Sequence, residues 1–187
     1  VAEEVEAAKD LYEKASEILG YDLLAKCKEG PKEELDSTAI SQPAIFVTSM
    51  AAVEKLKVDQ PEAEATCAAG LSLGEYSALC YAGALSFEDG VKLTKLRGEA
   101  MQAAADAKEG SMVSIIGLGK DVVAEICQKA SEDSGESISI ANFLCNGNYA
   151  VSGSAKACDA VEKIAKPDFG ARMTVRLAVA GAFHTDF

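Results

Sequence analysis

The stretch that decides the fold is EATCAAGLSLGEYSALCYA, which runs from Glu64 to Ala82. Its first part, Glu64–Ala69, is small and apolar between a Pro-containing polar loop and Gly70. This predicts a short buried strand, although the β propensity is weak. Residues 73–82 are apolar again and predict a helix. Between them lies GLSLG, residues 70–74, which matches G-x-S-x-G on a sharp strand-to-helix turn.

Such a turn can present a nucleophile. The Ser72 hydroxyl would project clear of the sheet, and the first amides of the next helix would face developing negative charge. A serine nucleophile needs a base, and His184 is the one histidine of the sequence. It follows an apolar predicted strand, where open sheets place their sites. The pattern favours a Ser72–His184 pair; a structural turn and an ordinary loop histidine are the alternatives.

Arg97 is the third candidate site residue. It lies on a predicted helix that starts at the capping pattern SFED, residues 86–89, and extends to about Ala105. Its neighbours Leu96 and Met101 are apolar. An inward-leaning guanidinium needs an anionic partner, and a substrate carboxylate held by two hydrogen bonds would serve. The alternative is a surface arginine whose head group reaches solvent.

The rest of the chain predicts two kinds of structure. Helices are expected over 1–19, 21–27 and 41–57, with a loop over 28–38. From residue 110 the predicted order is strand, helix, two strands, helix and strand, a ferredoxin-like unit whose last strand is expected over 171–179. We therefore predict an α/β fold, with an α/β-hydrolase-like body containing a parallel sheet and an inserted ferredoxin-like α+β subdomain. The body comprises residues 1–109 with 180–187, and the subdomain residues 110–179.

Composition limits the function classes. The chain has 187 residues, of which 49% are hydrophobic and 26% charged, which is typical of a globular protein. The formal net charge of −12 argues against nucleic acid or an anionic membrane surface as a partner. The six cysteines lack the C-x-x-C spacing of metal sites and do not indicate a disulfide framework. Several lie in apolar runs, including Cys67 and Cys80, and are predicted to be small core residues.

Three segments resemble the malonyl-CoA:acyl carrier protein transacylases of fatty acid synthesis. Residues 69–76 (AGLSLGEY) are similar to the family's nucleophile elbow, residues 95–102 (KLRGEAMQ) to its substrate-arginine helix, and residues 179–185 (VAGAFHT) to its histidine segment. Weaker support comes from residues 41–44 (SQPA) and from Asn142-Phe143 with residues 149–153. The order and spacing agree along nearly the whole chain.

The resemblance implies ping-pong acyl transfer without a cofactor or metal. Ser72, activated by His184, would take the malonyl group from malonyl-CoA and pass it to the phosphopantetheine thiol of acyl carrier protein. Arg97 would bind the malonyl carboxylate, and the backbone N–H of Leu73 would be one oxyanion donor. The other substrate-binding residues that the resemblance implies are Met101 in the acyl pocket and Asn142 and Asn148 along the pantetheine arm.

Departures from the family pattern set further expectations. The family's N-terminal Gly-Gln-Gly type strand and the C-terminal residue that orients the histidine are absent, so we expect an internal segment of a longer protein. Leu71 precedes the serine, as in the plastid enzymes of plants and algae. The expected location is the plastid stroma, with cytoplasm or mitochondrion as alternatives, and the expected state is a monomer.

Other interpretations stay open. A serine esterase of the α/β-hydrolase type would deliver the acyl group to water and have no use for Arg97. A non-catalytic carrier-protein-binding fragment and a polyketide or animal-type acyltransferase domain are the remaining alternatives. Acyl carrier proteins of this pathway are acidic, so docking on an acidic chain would need a local basic surface. The candidates for that surface are Lys163, Lys166, Arg172 and Arg176.

Overall fold

The computed structural model describes all 187 residues as two compact units, Val1–Ala100 and Met101–Phe187. The division predicted from the sequence differs in where residues 101–109 and 180–187 belong, and it stays a prediction. None of the helices combines the length and the apolar character that crossing a membrane requires.

The first unit is built of helices. The predicted loop over 28–38 contains a short helix, and the helix expected from Ser41 begins three residues earlier, at Thr38. The helices are α1 (Glu6–Leu19), α2 (Leu23–Glu29), α3 (Lys32–Asp36), α4 (Thr38–Asp59), α5 (Gly74–Tyr81) and α6 (Phe87–Ala107), the last of which continues past the unit boundary.

Local signals explain several helix ends. Helix α1 ends at Gly20, whose φ of 84° is the left-handed conformation of a C-terminal stop. The carboxylate of Asp22 caps α2 by accepting a hydrogen bond from the Ala25 N–H at 2.9 Å. The capping pattern predicted at the start of α6 is confirmed, because the Asp89 N–H donates to Ser86 Oγ at 3.1 Å. The buried faces of α1 and α4 then supply most of the core of this unit.

The predicted strand at Glu64–Ala69 is wrong. This segment is irregular and exposed, and Cys67 on it is exposed as well. A strand is stable only when a neighbour accepts and donates its ladder hydrogen bonds. The first unit contains no other strand that could do so. The one sheet of the structure is antiparallel, so the predicted parallel sheet is not confirmed.

The second unit has the predicted ferredoxin-like order. Its four-stranded sheet has the spatial order β2-β3-β1-β4, and every neighbouring pair is antiparallel. The last strand is shorter than the predicted 171–179. The elements are β1 (Ser111–Ile116), α7 (Lys120–Ser134), β2 (Ile138–Cys145), β3 (Asn148–Gly153), α8 (Ala155–Ile164) and β4 (Met173–Arg176).

The two central strands of this sheet, β1 and β3, are buried along most of their length. Val113 and Ile115 of β1 point to the same face and are fully buried, together with Val151 of β3. They pack against the apolar faces of α7 and α8, where Ile126 and Val161 are also fully buried. The unit therefore has its own hydrophobic core.

Candidate active site

Ser72 lies on a tight turn that leads into α5. Its φ of 54° is in the left-handed region, which residues other than glycine rarely adopt. The Gly74 N–H donates to the Leu71 carbonyl at 2.9 Å, and the Tyr76 N–H donates to the Leu73 carbonyl at 3.0 Å. The helix therefore starts directly after the serine. Backbone strain of this kind recurs at functional sites, and here it occurs without a preceding strand.

The two glycines of the turn have different roles. A Cβ on Gly70 would lie 1.9 Å from the carbonyl carbon of Gly74 and 2.0 Å from its oxygen, so the backbone passes too close for any side chain. A Cβ on Gly74 would meet nothing within 4 Å outside its own helix. The close approach that shapes the turn therefore requires glycine at position 70 only.

Arg97 of α6 reaches the serine. Its Nη2 donates to Ser72 Oγ at 2.8 Å, and its Nη1 donates to Gln42 Oε1. The ring of Tyr76 lies under the guanidinium, with its centroid 5.7 Å from Cζ. Arg97 is partly buried and held at three points. It is therefore directed into the site rather than extended into solvent.

The charge of Arg97 has no anionic partner within its unit. Both hydrogen-bond acceptors are neutral oxygens, and the ion pairs within the two units do not include this residue. A partly buried cation with neutral acceptors can bind a carboxylate without first releasing one. The arrangement thus combines a strained serine with an adjacent carboxylate receptor.

Gln42 is a further residue of the site, for which the sequence motifs predict no role. It lies in the first turns of α4, is 5% exposed, and accepts the hydrogen bond from Arg97. The sequence signal for Gln42 is its spacing: it lies four residues before the core residue Phe46, on the same apolar face of α4. A buried amide on such a face needs a hydrogen-bond partner.

His184 lies in the second unit, in the irregular segment after β4. Its φ is 60°, so Ser72 and His184 are the two residues other than glycine with positive φ. The histidine segment packs against the end of α6, where a Cβ on Gly181 would lie 2.8 Å from that of Ala105. Ser72 belongs to the first unit, and the Ser72–His184 pair stays a prediction.

The other predicted substrate residues are spread over both units. Leu73 is buried and precedes α5, so its N–H belongs to a helix start, where amides lack intrahelical acceptors. Met101 is partly buried on α6 in the second unit. Asn142 is half-buried beside an irregularity of β2. Asn148 begins β3, and its Oδ1 accepts a hydrogen bond from Ser114 Oγ at 2.7 Å.

One of the four residues of the predicted basic surface forms ion pairs with carboxylates of its own unit. Arg176 pairs with both Asp159 and Glu162, so nearby carboxylates offset its charge. The remaining members, Lys163, Lys166 and Arg172, are exposed.

The six cysteines are free. Burial raises the pKa of the Cys127 thiol to about 12 and that of the Cys158 thiol to about 11. Cys67 and Cys145 are exposed, so the prediction of a core position for Cys67 is wrong. The structure contains no cluster of three or more His, Cys, Asp or Glu side chains placed to hold a metal ion.

The chain belongs to the acyl transferase domain family, which matches residues 5–186.

Within the acyl transferase domain family, two relatives show what kind of protein the chain is similar to. The malonyl CoA-acyl carrier protein transacylase of Bacillus subtilis is 41% identical over 184 residues, which covers 98% of this chain and 57% of the relative. The mitochondrial malonyl-CoA-acyl carrier protein transacylase of Homo sapiens is 42% identical and covers 95% of this chain and 47% of the relative. The chain therefore spans about half the length of the curated relatives it matches.

A solved structure supports the mixed α/β fold. It is a complex of a type II polyketide synthase acyl carrier protein with its malonyl transacylase. It is 34% identical to this chain with a TM-score of 0.84, and the match covers 94% of this chain and 55% of that chain.

Proposed function

We propose that the protein transfers a malonyl group from malonyl-CoA to the phosphopantetheine thiol of an acyl carrier protein, through a malonyl-serine intermediate. The observation that carries the proposal is the 2.8 Å hydrogen bond from Arg97 Nη2 to Ser72 Oγ. It joins a serine on a strained turn to a cation without an anionic partner. The names of the relatives support the same activity.

The first half-reaction acylates the protein. His184 accepts the proton of Ser72, and Oγ attacks the thioester carbon of malonyl-CoA. The carbonyl oxygen becomes an oxyanion, to which the Leu73 N–H donates. The C–S bond then breaks, the malonyl ester of Ser72 remains, and the proton passes from His184 to the departing CoA thiolate.

The second half-reaction repeats these steps with a new thiol. The phosphopantetheine thiol of the carrier protein gives its proton to His184 and attacks the malonyl ester carbon. The C–O bond breaks, and the proton returns to Ser72 Oγ. Atoms and electrons balance without an oxidant, a metal or a cofactor.

Arg97 would select the donor. In the free protein its Nη2 donates to a neutral hydroxyl, and an incoming malonyl carboxylate is a stronger acceptor that can take two N–H groups at once. An acetyl group offers no such acceptor. The remaining assigned residues are Met101 along the acyl chain and Asn142 and Asn148 along the pantetheine arm.

The proposed malonyl transfer also determines which partners the protein would bind. We propose malonyl-CoA and acyl carrier protein as partners of a monomer, with neither nucleic acid nor a membrane involved. The carrier protein, being acidic, would dock on Lys163, Lys166 and Arg172. The relatives include bacterial and mitochondrial proteins. The plastid stroma is proposed on Leu71 alone, with cytoplasm or mitochondrion as alternatives.

The test is the intact mass of the protein after brief incubation with malonyl-CoA and an acid quench. We expect an increase of one malonyl group that is absent from Ser72→Ala and disappears when the phosphopantetheine-bearing carrier protein is added. The product must then carry the malonyl group. Acylation followed by release of free malonate at the same rate with and without the carrier would instead indicate an esterase. A folded protein that forms no adduct would refute the proposal.

A further inference from the structure

The interaction of Gln42 with Arg97 points to a role for a residue that the proposed mechanism does not use. Gln42 is almost fully buried, and its Oε1 accepts a hydrogen bond from Nη1 of Arg97. The other terminal nitrogen, Nη2, donates to Ser72 Oγ. One end of the guanidinium is therefore held by Gln42 and the other end faces the candidate nucleophile.

The helix that carries Gln42 is fixed against the helix that carries Arg97. Thr38 Oγ1 of α4 donates to the Gly98 carbonyl of α6 at 2.9 Å. A Cβ on Gly98 would lie 2.3 Å from the Thr38 carbonyl oxygen, so glycine is needed for this approach. Thr38 and Gln42 are four residues apart and share one face of α4, while Gly98 directly follows Arg97. The close contact thus sets the distance that the Gln42 side chain must bridge.

Two further features orient the guanidinium. The ring of Tyr76 lies below it at 5.7 Å, and this contact restricts its tilt. The acceptor supplied by Gln42 is a neutral amide oxygen. A carboxylate at the same place would hold the guanidinium as well, but it would neutralise the charge that a substrate carboxylate must find.

We propose that Gln42 is a positioning residue that holds Arg97 in the orientation needed to bind the free carboxylate of the acyl donor, while leaving its charge uncompensated. The inference rests on the proposed function, because it assigns the donor carboxylate as the ligand of Arg97. Gln42 acts through Arg97 on the choice between malonyl and acetyl donors.

The first experiment measures acylation of Ser72 by malonyl-CoA and by acetyl-CoA, with separate kcat and KM values, in Gln42→Leu and Gln42→Glu. A hydrogen bond to a charged group corresponds to about a 10- to 100-fold change in an equilibrium constant. We expect Gln42→Leu to lose about that factor in the malonyl-to-acetyl ratio of kcat/KM. Gln42→Glu should lose at least as much, mainly through KM, because its carboxylate competes for Arg97.

The matched controls are Gln128→Leu and Gln128→Glu. Gln128 lies on the exposed face of α7 in the second unit, where its amide donates to Glu132 at 3.0 Å. Both controls should keep the unaltered ratio. A variant that only loosened the fold would lower both donors alike and leave the ratio unchanged, which would overturn the inference.

A second measurement is independent of turnover. The sequence has three arginines, so the ¹⁵N signals of Arg97 can be assigned by their loss in Arg97→Lys. We expect separate Nη1 and Nη2 signals in the unaltered protein and averaged signals in Gln42→Leu. Averaged signals already present in the unaltered protein would overturn the inference.

The two proposals fail in different ways. An unaltered malonyl-to-acetyl ratio in both Gln42 variants would overturn the role of Gln42 and leave the proposed function intact. An unaltered protein that forms no malonyl adduct would overturn the proposed function, and the assigned role of Gln42 with it.

Discussion

Replacing Arg97 by alanine should abolish the preference for a donor that carries a free carboxylate. The guanidinium donates to Ser72 Oγ at 2.8 Å. In a malonyl ester of Ser72, one CH2 group separates the ester carbonyl from the free carboxylate. That carboxylate is within reach of the same guanidinium. An acetyl group on the same oxygen has no charged atom to offer, so the two donors differ in one interaction.

The size of the effect follows from charge and distance. Two unit charges 4 Å apart attract by about 4 kcal/mol at an effective dielectric constant of about 20. Arg97 is only partly buried, and solvent weakens the attraction. We therefore expect Arg97→Ala to cost about 2 to 4 kcal/mol for malonyl-CoA, or about a 30- to 1000-fold loss in kcat/KM.

The assay is the quenched-flow rate of acyl-serine formation, read by intact mass, from malonyl-CoA and from acetyl-CoA. The lost hydrogen bond to Ser72 affects both donors alike, so their ratio isolates the carboxylate interaction. Lys95→Ala is the control, because it removes a positive charge from the same helix two residues away. A ratio in Arg97→Ala within about threefold of the unaltered protein, less than 1 kcal/mol, would refute the reasoning.

Three other outcomes can be measured separately. Gly70→Ala should lower the free energy of unfolding by about 1–3 kcal/mol or more, since its Cβ would lie 1.9 Å from backbone, whereas Gly74→Ala should cost much less in the same urea titration. Equal losses would contradict the contact. With a pKa of about 12, Cys127 holds a thiolate fraction on the order of 10⁻⁴ at pH 8. Iodoacetamide should therefore label the exposed Cys67 at least about 100-fold faster than Cys127, as measured by peptide mass spectrometry. Similar labelling rates would show that Cys127 is accessible. Gly98→Ala should displace α4 and reduce malonyl-CoA acylation more than acetyl-CoA acylation; an unchanged ratio would separate the helix contact from the site.

The order of elements in the second unit could be predicted from the sequence because each element there carries its own local signal. The apolar residues of β3, a two-residue turn at Asn146-Gly147 and the Ser154 cap of α8 all lie within one short region. The predicted order of elements is confirmed there. The last strand is shorter than predicted, since β4 ends at Arg176.

Two features of the first unit could not be predicted because they depend on residues that are distant in sequence. An apolar run such as Glu64–Ala69 becomes a strand only if another strand pairs with it, and no local signal reports that. The helix expected over 41–57 begins earlier, at Thr38, so Pro43 lies inside α4. Gln42 escaped notice because its partner, Arg97, is 55 positions away.

The residues that could be found from the sequence share a physical cause. Gly70 lies two residues before Ser72, and Gly98 directly follows Arg97. Each glycine allows backbone to pass where a Cβ would lie 1.9 or 2.3 Å from other backbone atoms. The hydrogen bond between Arg97 and Ser72 requires both segments to be fixed, and close backbone packing fixes them more firmly than flexible side chains would. The glycines in the two motifs therefore carry information about the site geometry as well as about the turn.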